Sequence, residues 1–426
     1  MKKNIVGFVP HILSFLMLIC CVTYFSLNKP KNQQTFENVS DFSAESSISE
    51  NIEKSNDIIK NNDKEMRGIW IPYMSLDLSD TNRTKEDFCK KADKIIQDCI
   101  KYKANTIIVQ VRPFSDSIYP SEFFPWSHII SGTQGKGVDY DPLEYIVQQA
   151  HKNNLDVHAW VNPLRISTSK TPPVLSQDNP YEIFKNDSNS ENDDYTFEYN
   201  DGIYYNPSYP QVRKLIIDGI CEIVKNYDVD GIHLDDYFYP SEEPDYDKAS
   251  YQKYVDSLEK DSIPLSQEKW RCSNINSLIS GIYSAVHSIR NNVVFGISPQ
   301  GNIENDLKMS ADVYEWCSIN GYVDYICPQI YVNNKHPVLP FNNTADRWKK
   351  LIKADNIKLY LGLGIYKAGT DADSGTWLLD DDNIKQQIEY CREIKTDGFM
   401  LYSYEYLEND KSEKEIQNAM AVIEAS

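Results

Sequence analysis

Hydrophobic residues along this chain recur with two different periods, and the two kinds of segment alternate. Short runs rich in β-branched and aromatic residues span Arg67–Tyr73, Thr106–Pro113, Asp156–Pro163 and Gly231–Pro240, then Val293–Gln300, Tyr325–Tyr331, Leu359–Tyr366 and Gly398–Tyr406. Between them lie stretches such as "KEDFCKKADKIIQDCIKYK", "DPLEYIVQQAHKNN", "YPQVRKLIIDGICEIVKNY" and "DNIKQQIEYCREI", whose apolar residues return every third and fourth position. The first pattern predicts strands and the second amphipathic helices. Eight strand-then-helix units over roughly 360 residues predict an α/β fold, a (β/α)8 TIM barrel with long strand-to-helix loops. A doubly wound sheet is the alternative. It usually carries a Gly-rich phosphate turn after its first strand, and "IPYMSLDLSD" is not one.

Strand alternation then sorts side chains by face, because successive residues of a barrel strand point inward and toward the helices in turn. In "GIHLDDYFYP" the helix-facing pair is Ile232 and Leu234, which leaves His233, Asp235 and Tyr237 toward the axis. Asp236 has the opposite parity and opens the loop. On the second strand Ile107, Val109 and Val111 face helices, leaving Gln110 and Arg112 inside; on the third, His158, Trp160 and Asn162 are left inside. Ser298, Gln300, Gln329, Tyr331, Tyr366, Tyr402 and Tyr404 complete the inward set, in which Asp235 is the sole carboxylate.

Two long connections follow strand ends: about forty residues from Arg165 to Tyr205, and about thirty from Pro240 to Trp270. Loops at strand C-termini are where a barrel builds its site. Segments such as "NDDYTFEYNDGIYYNP" supply aromatic and acidic walls suited to a carbohydrate. Aromatic faces bind the apolar side of a pyranose, and a strand-end aspartate can stabilise or attack an oxocarbenium-like centre. The structural alternative pairs Asp235 with Arg112 or His158, and has Asp236 cap a turn. Glycoside hydrolysis normally needs a second carboxyl group; Asp236, Asp116, Glu122 and Glu405 are the candidates, with Glu405 of the wrong parity. His158 and His233 lack an HxH or HExxH spacing, so neither metal nor cofactor is expected.

Composition changes this picture little. The 426 residues are 41% hydrophobic, enough for a sizeable core, and include 29 Tyr, 15 Phe and 7 Trp. The net charge of -20 repels phosphate backbones, which argues against a nucleic-acid partner and suits a neutral or cationic ligand. Of nine cysteines, Cys20 and Cys21 fall in the apolar N-terminal run, and the other seven, at no metal-like spacing, read as buried free thiols. The start, "MKKNIVGFVPHILSFLMLICCVTYFSLNKP", sets Lys2 and Lys3 before a mostly apolar run from Ile5 to Leu27, long enough to span a bilayer. Residues 1–27 are therefore expected to be a signal anchor or signal peptide, with a membrane as partner and the remainder extracytoplasmic, or secreted if the segment is cleaved. Residues 28–65, rich in Asn, Ser, Glu and Lys, read as a flexible linker. Residues 66–426 form the expected catalytic domain.

Several of these stretches carry a resemblance. "MRGIWI", "VRPFSDSIYPSEFFPWSHIISGTQGKGVDYDPLEYIVQQAHKNNLDVHAWVNPLRI", "YYNPSYPQVRKLIIDGICEIVKNYDVDGIHLDDYFYP", "GISPQGN" and "VDYICPQIY" together resemble glycosyl-hydrolase-like family ten, a bacterial barrel family long regarded as a domain of unknown function. The likeness runs from about Met66 to the C-terminus. It implies that Arg112, Trp126, Asp141, His158, Trp160, Asn162, Arg165, Asp235, Gln329 and Tyr331 are site or scaffold residues, and that the activity is hydrolysis of a bacterial glycan. Relatives include a barrel acting on denuded peptidoglycan strands and a domain cleaving partly deacetylated poly-N-acetylglucosamine. Many carry an arginine shortly after the fourth-strand aspartate, where this chain has "DDYFYP".

The expectation is an extracytoplasmic glycoside hydrolase whose partner is a polysaccharide, a cell-wall or exopolysaccharide glycan. Asp235 would be nucleophile or essential carboxylate and Asp236 acid/base. Arg112, His158, Asn162, Arg165, Tyr237, Gln329 and Tyr331 would bind sugar, with Trp126 and Trp160 as stacking platforms. A non-catalytic glycan-binding module and a metal-dependent polysaccharide deacetylase are the competing readings.

Overall fold

The computed structural model describes residues 65–168 and 171–425. The expected anchor over residues 1–27, and the expected linker apart from Glu65, lie outside the described residues. Among the described residues no helix is long and apolar enough to cross a membrane.

In chain order the strands are β1 (Met66–Ile71), β2 (Thr106–Arg112), β3 (Asp156–Val161), β4 (Arg165–Ser167), β5 (Thr196–Tyr199) and β6 (Gly202–Tyr205). They continue with β7 (Gly231–Leu234), β8 (Val294–Ile297), β9 (Tyr325–Ile326), β10 (Lys358–Gly364) and β11 (Gly398–Tyr402). Eight of them close a parallel barrel in the order β1, β2, β3, β7, β8, β9, β10, β11. Closure is direct: β1 pairs with β2 through Gly68 and Thr106, and with β11 through Met66 and Gly398. An open doubly wound sheet is thereby excluded. The three remaining strands form a small antiparallel sheet, β4–β6–β5, within the long connection after β3.

The outer layer contains α1 (Lys85–Lys101), α2 (Pro142–Lys152), α3 (Pro210–Asn226), α4 (Gln267–Ile289), α5 (Phe341–Leu351), α6 (Asn383–Glu393) and α7 (Glu413–Glu424). Their starts are written in the sequence. Thr84 and Asp87 make a reciprocal capping box on α1. Asp141 caps α2 by accepting from the backbone of Leu143 and Glu144, with Pro142 in the first turn where no N–H is needed. Asp141 also accepts from the Tyr227 hydroxyl at 2.7 Å, so it holds the helix layer together.

Two apolar layers flank the barrel wall. Ile107, Val109, Val111, Val157, Ala159, Val161, Ile232 and Leu234 pack outward against the helices. Trp70, Ile108, Trp160, Tyr325, Cys327, Tyr360 and Met400 fill the interior. Burying each large side chain contributes roughly 1.5–3 kcal/mol. The interior is tight enough to demand a glycine: a Cβ at Gly296 would stand 2.1 Å from the Tyr325 ring. The cysteines at 89, 99, 221, 272, 317, 327 and 391 are free, and four of them, including Cys327 inside the barrel, are fully buried.

Candidate active site

The barrel floor holds a continuous run of hydrogen bonds. Trp70 Nε1 donates to His233 Nε2 at 3.2 Å, so the neutral His233 carries its proton on Nδ1 and donates to the Tyr325 hydroxyl at 2.8 Å. That hydroxyl in turn donates to His158 Nδ1 at 2.9 Å. Burial holds the His158 imidazole down at about 4 and His233 well below the usual histidine range. Both rings are neutral struts.

Above this floor stands Asp235, just beyond the end of β7 and only 3% exposed. Its Oδ2 accepts from Trp160 Nε1 at 3.1 Å and from Asn162 Nδ2, and its Oδ1 from the backbone of Tyr237 at 3.3 Å. Burial, reinforced by the neighbouring Asp236 charge and opposed by Arg165, raises its carboxyl to about 7. Asp236, the next residue, is half-buried. Gln329 Nε2 donates to its Oδ1 at 3.0 Å and also to Ser298 O at 2.9 Å. Burial raises Asp236 too, with the Gln329 hydrogen bond pulling the other way. The two carboxyls therefore titrate as a unit, one proton being retained well above the ordinary carboxylate range.

Asp236 lines a cleft of about 430 Å³ together with Gln300, Asn302, Gln329, Tyr331 and Lys367. That volume admits a sugar unit. Tyr331 stacks on Tyr402 with ring centroids 5.3 Å apart, and meets Trp70 and Tyr366 edge-on, giving one aromatic wall. Arg165, at the start of β4, clamps the Pro113 carbonyl with Nε at 3.1 Å and an Nη at 3.0 Å. Its guanidinium lies 4.4 Å over the exposed Tyr237 ring. This places a cation near both aspartates, although "DDYFYP" itself has none. Asp235, Asp236, Asn162, Trp160, Arg165 and Tyr237 are thus one connected group, and Gln329 and Tyr331 join it through the cleft.

Other expected ligands lie elsewhere. Arg112 does not face the axis. The β2–β3 register slips between Gln110, opposite Trp160, and Arg112, opposite Val161, so a bulge gives Arg112 the helix-facing parity. Its guanidinium stacks 4.2 Å over Phe124, and among the described residues none of its three nitrogens has a hydrogen-bond partner. Gly219 of α3 makes room: a Cβ there would stand 2.9 Å from Arg112 Nη1. His158 sits one inward position below Trp160, bonded into the floor, and is not a rim residue. Trp160 and Asn162 are buried and spend their donors on Asp235. Trp126 lies in the loop after β2, its indole edge against Gly137, outside the cleft lining. Tyr404 leaves the rim as well, because its hydroxyl donates to Asp98 of α1 at 2.8 Å.

Of the candidate second carboxyls, Asp116 is wholly buried and accepts from Gln134 at 3.0 Å. Glu122 is exposed, its backbone N–H donating to Glu222 of α3 at 2.6 Å. Glu405 accepts from Ser75 Oγ at 2.8 Å beside β1. Asp236 alone of the four lines the cleft. Asp306, Asn302 and Lys367 were not legible as site residues. Asp306 Oδ1 accepts from Gln300 N at 2.8 Å, and Asn305 donates to Gln300 Oε1 at 3.1 Å, steadying the Gln300 amide beside Asp236. Burial raises Asp306 well above the carboxylate range. The one available signal was the polar run "GNIEND" directly after a predicted strand.

Among the described residues no group of three or more His, Cys, Asp or Glu side chains is placed to hold a metal ion. What the arrangement offers is a pair of neighbouring carboxyls held above their ordinary range, a facing cation, and a cleft with aromatic and amide walls. That combination can donate a proton to a glycosidic oxygen and stabilise positive charge on a sugar ring.

The sequence matches the profile of the family described as glycosyl hydrolase-like 10 over residues 65–377. The glycosyl hydrolase YngK of Bacillus subtilis (strain 168) is 33% identical over 366 residues, covering 80% of this chain and 68% of that protein. The glycosyl hydrolase DigH of Escherichia coli (strain K12) is 28% identical over 389 residues, covering 82% and 85%. Among solved structures, the PgaB (BpsB) glycoside hydrolase domain from Bordetella bronchiseptica superposes with a TM-score of 0.55 at 12% identity, covering 84% of this chain and 98% of that one. The endo-1,4-beta-mannanase from Rhizomucor miehei gives 0.50 at 11% identity, covering 85% and 95%. At these identities the structural likeness is one of fold.

Proposed function

We propose that this chain, which belongs to the glycosyl hydrolase-like 10 family, hydrolyses glycosidic bonds of a bacterial cell-wall or exopolysaccharide glycan, either peptidoglycan strands or a glucosamine polymer. The observation that carries this reading is the Asp235–Asp236 pair at the mouth of the barrel, with Asp236 lining a sugar-sized cleft. The two carboxyls share a proton, and Asp236, the member that lines the cleft, delivers it to the leaving oxygen. Asp235, fixed by Trp160, Asn162 and the Tyr237 backbone, supplies the negative charge that a developing oxocarbenium ion requires. Gln300, Gln329 and Lys367 hydrogen-bond the sugar, and Tyr331 offers it a ring face. The extracytoplasmic, membrane-tethered setting belongs to this proposal and rests on the sequence of residues 1–27.

One observation favours a second reading. Asp235 lies beneath the cleft wall, so a single one of these two carboxyls reaches the cleft, as a non-catalytic glycan-binding module would allow. Incubation with denuded peptidoglycan strands and with partly deacetylated poly-N-acetylglucosamine separates the two. Hydrolysis predicts new reducing ends on one of these polymers; tight binding with no new ends on either would select the binding module.

A further inference from the structure

We propose that Gln110 is a positioning residue that fixes which way the Asn162 amide faces Asp235, and thereby sets the proton affinity of the Asp235 carboxyl. Its bearing on catalysis rests on the hydrolase reading above.

The backbone N–H of Tyr73 can only donate, and it donates to Gln110 Oε1 at 3.0 Å. The accepting end of the Gln110 amide is thereby committed, and its Nε2 points the other way, donating to Asn162 Oδ1 at 2.6 Å. With its oxygen engaged, Asn162 presents Nδ2 to Asp235 Oδ2. A primary amide has one accepting and one donating end, so a single backbone N–H orders both side chains in turn. Turning Asn162 over would set its oxygen against a carboxylate and its NH2 against the NH2 of Gln110. Gln110, Asn162 and Asp235 are 2%, 1% and 3% exposed, which leaves little solvent to rescue a mis-turned amide. The Asn162 backbone is pinned as well, its N–H donating to Arg112 O at 2.9 Å.

The remaining groups facing Asp235 are few. Asp236 follows it at the same strand end, Arg165 comes from β4, Tyr237 from the loop after β7, and Tyr402 from β11. The neutral His233 lies below, edge-on to Trp160. From β2 and β3 Asp235 receives only the two neutral donors Trp160 and Asn162, and Gln110 orders the second.

Trp160 provides a reporter independent of turnover, because its indole N–H donates to the same Asp235 oxygen as Asn162. In the full chain with ¹⁵N-labelled tryptophan, the Trp160 indole resonance, assigned by loss in Trp160→Phe, is followed against pH. Gln110→Leu should move the midpoint upward by about one pH unit, because Asn162 no longer holds its donor on the ionised form. Asn162→Leu should move it likewise, and adding Gln110→Leu to Asn162→Leu should move it no further. A wild-type midpoint in Gln110→Leu overturns the proposal, as does a Gln110→Leu shift that persists without Asn162. If Asp235→Asn still cleaves glycan while Gln110→Leu shifts the titration, positioning stands and the role of Asp235 in hydrolysis falls. An inactive Asp235→Asn with an unmoved titration has the opposite meaning.

Discussion

At the scale of single residues, the fold binds a proton at the Asp235–Asp236 pair more tightly than an unfolded chain would. Asp235 is raised from an ordinary 3.8 to about 7, chiefly by burial. A folded state that binds a proton more tightly than the unfolded chain loses stability as pH rises between those two values. Asp235→Asn removes that titration. It should therefore be more stable than wild type at pH 8, by about 1–3 kcal/mol, with the difference shrinking toward pH 4. Thermal melts at the two pH values check this; an equal difference at both would contradict it. Asp235 was legible in the sequence because parity depends only on counting from Ile232 and Leu234. Its partners Trp160 and Asn162 were legible for the same reason, but not that they spend their donors on Asp235 and not on sugar. Alternation gives a face without giving a depth, which is also why His158 reads as a rim residue and sits in the floor.

At the scale of elements, the informative failure is β2. Strict alternation puts Arg112 inside, and a one-residue bulge puts it between the barrel and α3. Nothing in "TIIVQVRP" announces a bulge, since no glycine or proline interrupts the run before Arg112. The relocation has a measurable consequence. A buried guanidinium without hydrogen bonds contributes little to stability that a linear apolar side chain would not. Arg112→Met should melt at or above the wild-type temperature and leave the KM for glycan within about twofold of wild type; a large rise in KM with an intact fold would return Arg112 to the substrate. The opposite sensitivity is expected at Gly296 of β8. The Tyr325 ring that joins His158 to His233 occupies the space a Cβ would need. Gly296→Ala should cost about 2 kcal/mol or more, read from urea unfolding, and a variant as stable as wild type would contradict this packing.

At the scale of the molecule, the eight strands follow from the alternation of the two hydrophobic periods, and the pairing of β1 with both β2 and β11 closes them into a barrel. The small sheet β4–β6–β5 was not legible. Its strands are only three or four residues long, and "NDDYTFEYNDGIYYNP" reads equally well as aromatic loop. Both this sheet and the cleft residues Gln300, Asn302 and Lys367 belong to connections on the strand C-terminal face, where contacts distant in sequence decide the geometry. The barrel gathers these connections around Asp235 and Asp236, and the function proposed for the whole chain stands or falls there. The most direct test is the release of reducing ends from purified peptidoglycan strands and glucosamine polymer by wild type and by Asp235→Asn side by side. Wild type is expected to cleave at least one of them, and the folded variant to be slower by about a thousandfold. A folded Asp235→Asn that cleaves at the wild-type rate would contradict the account.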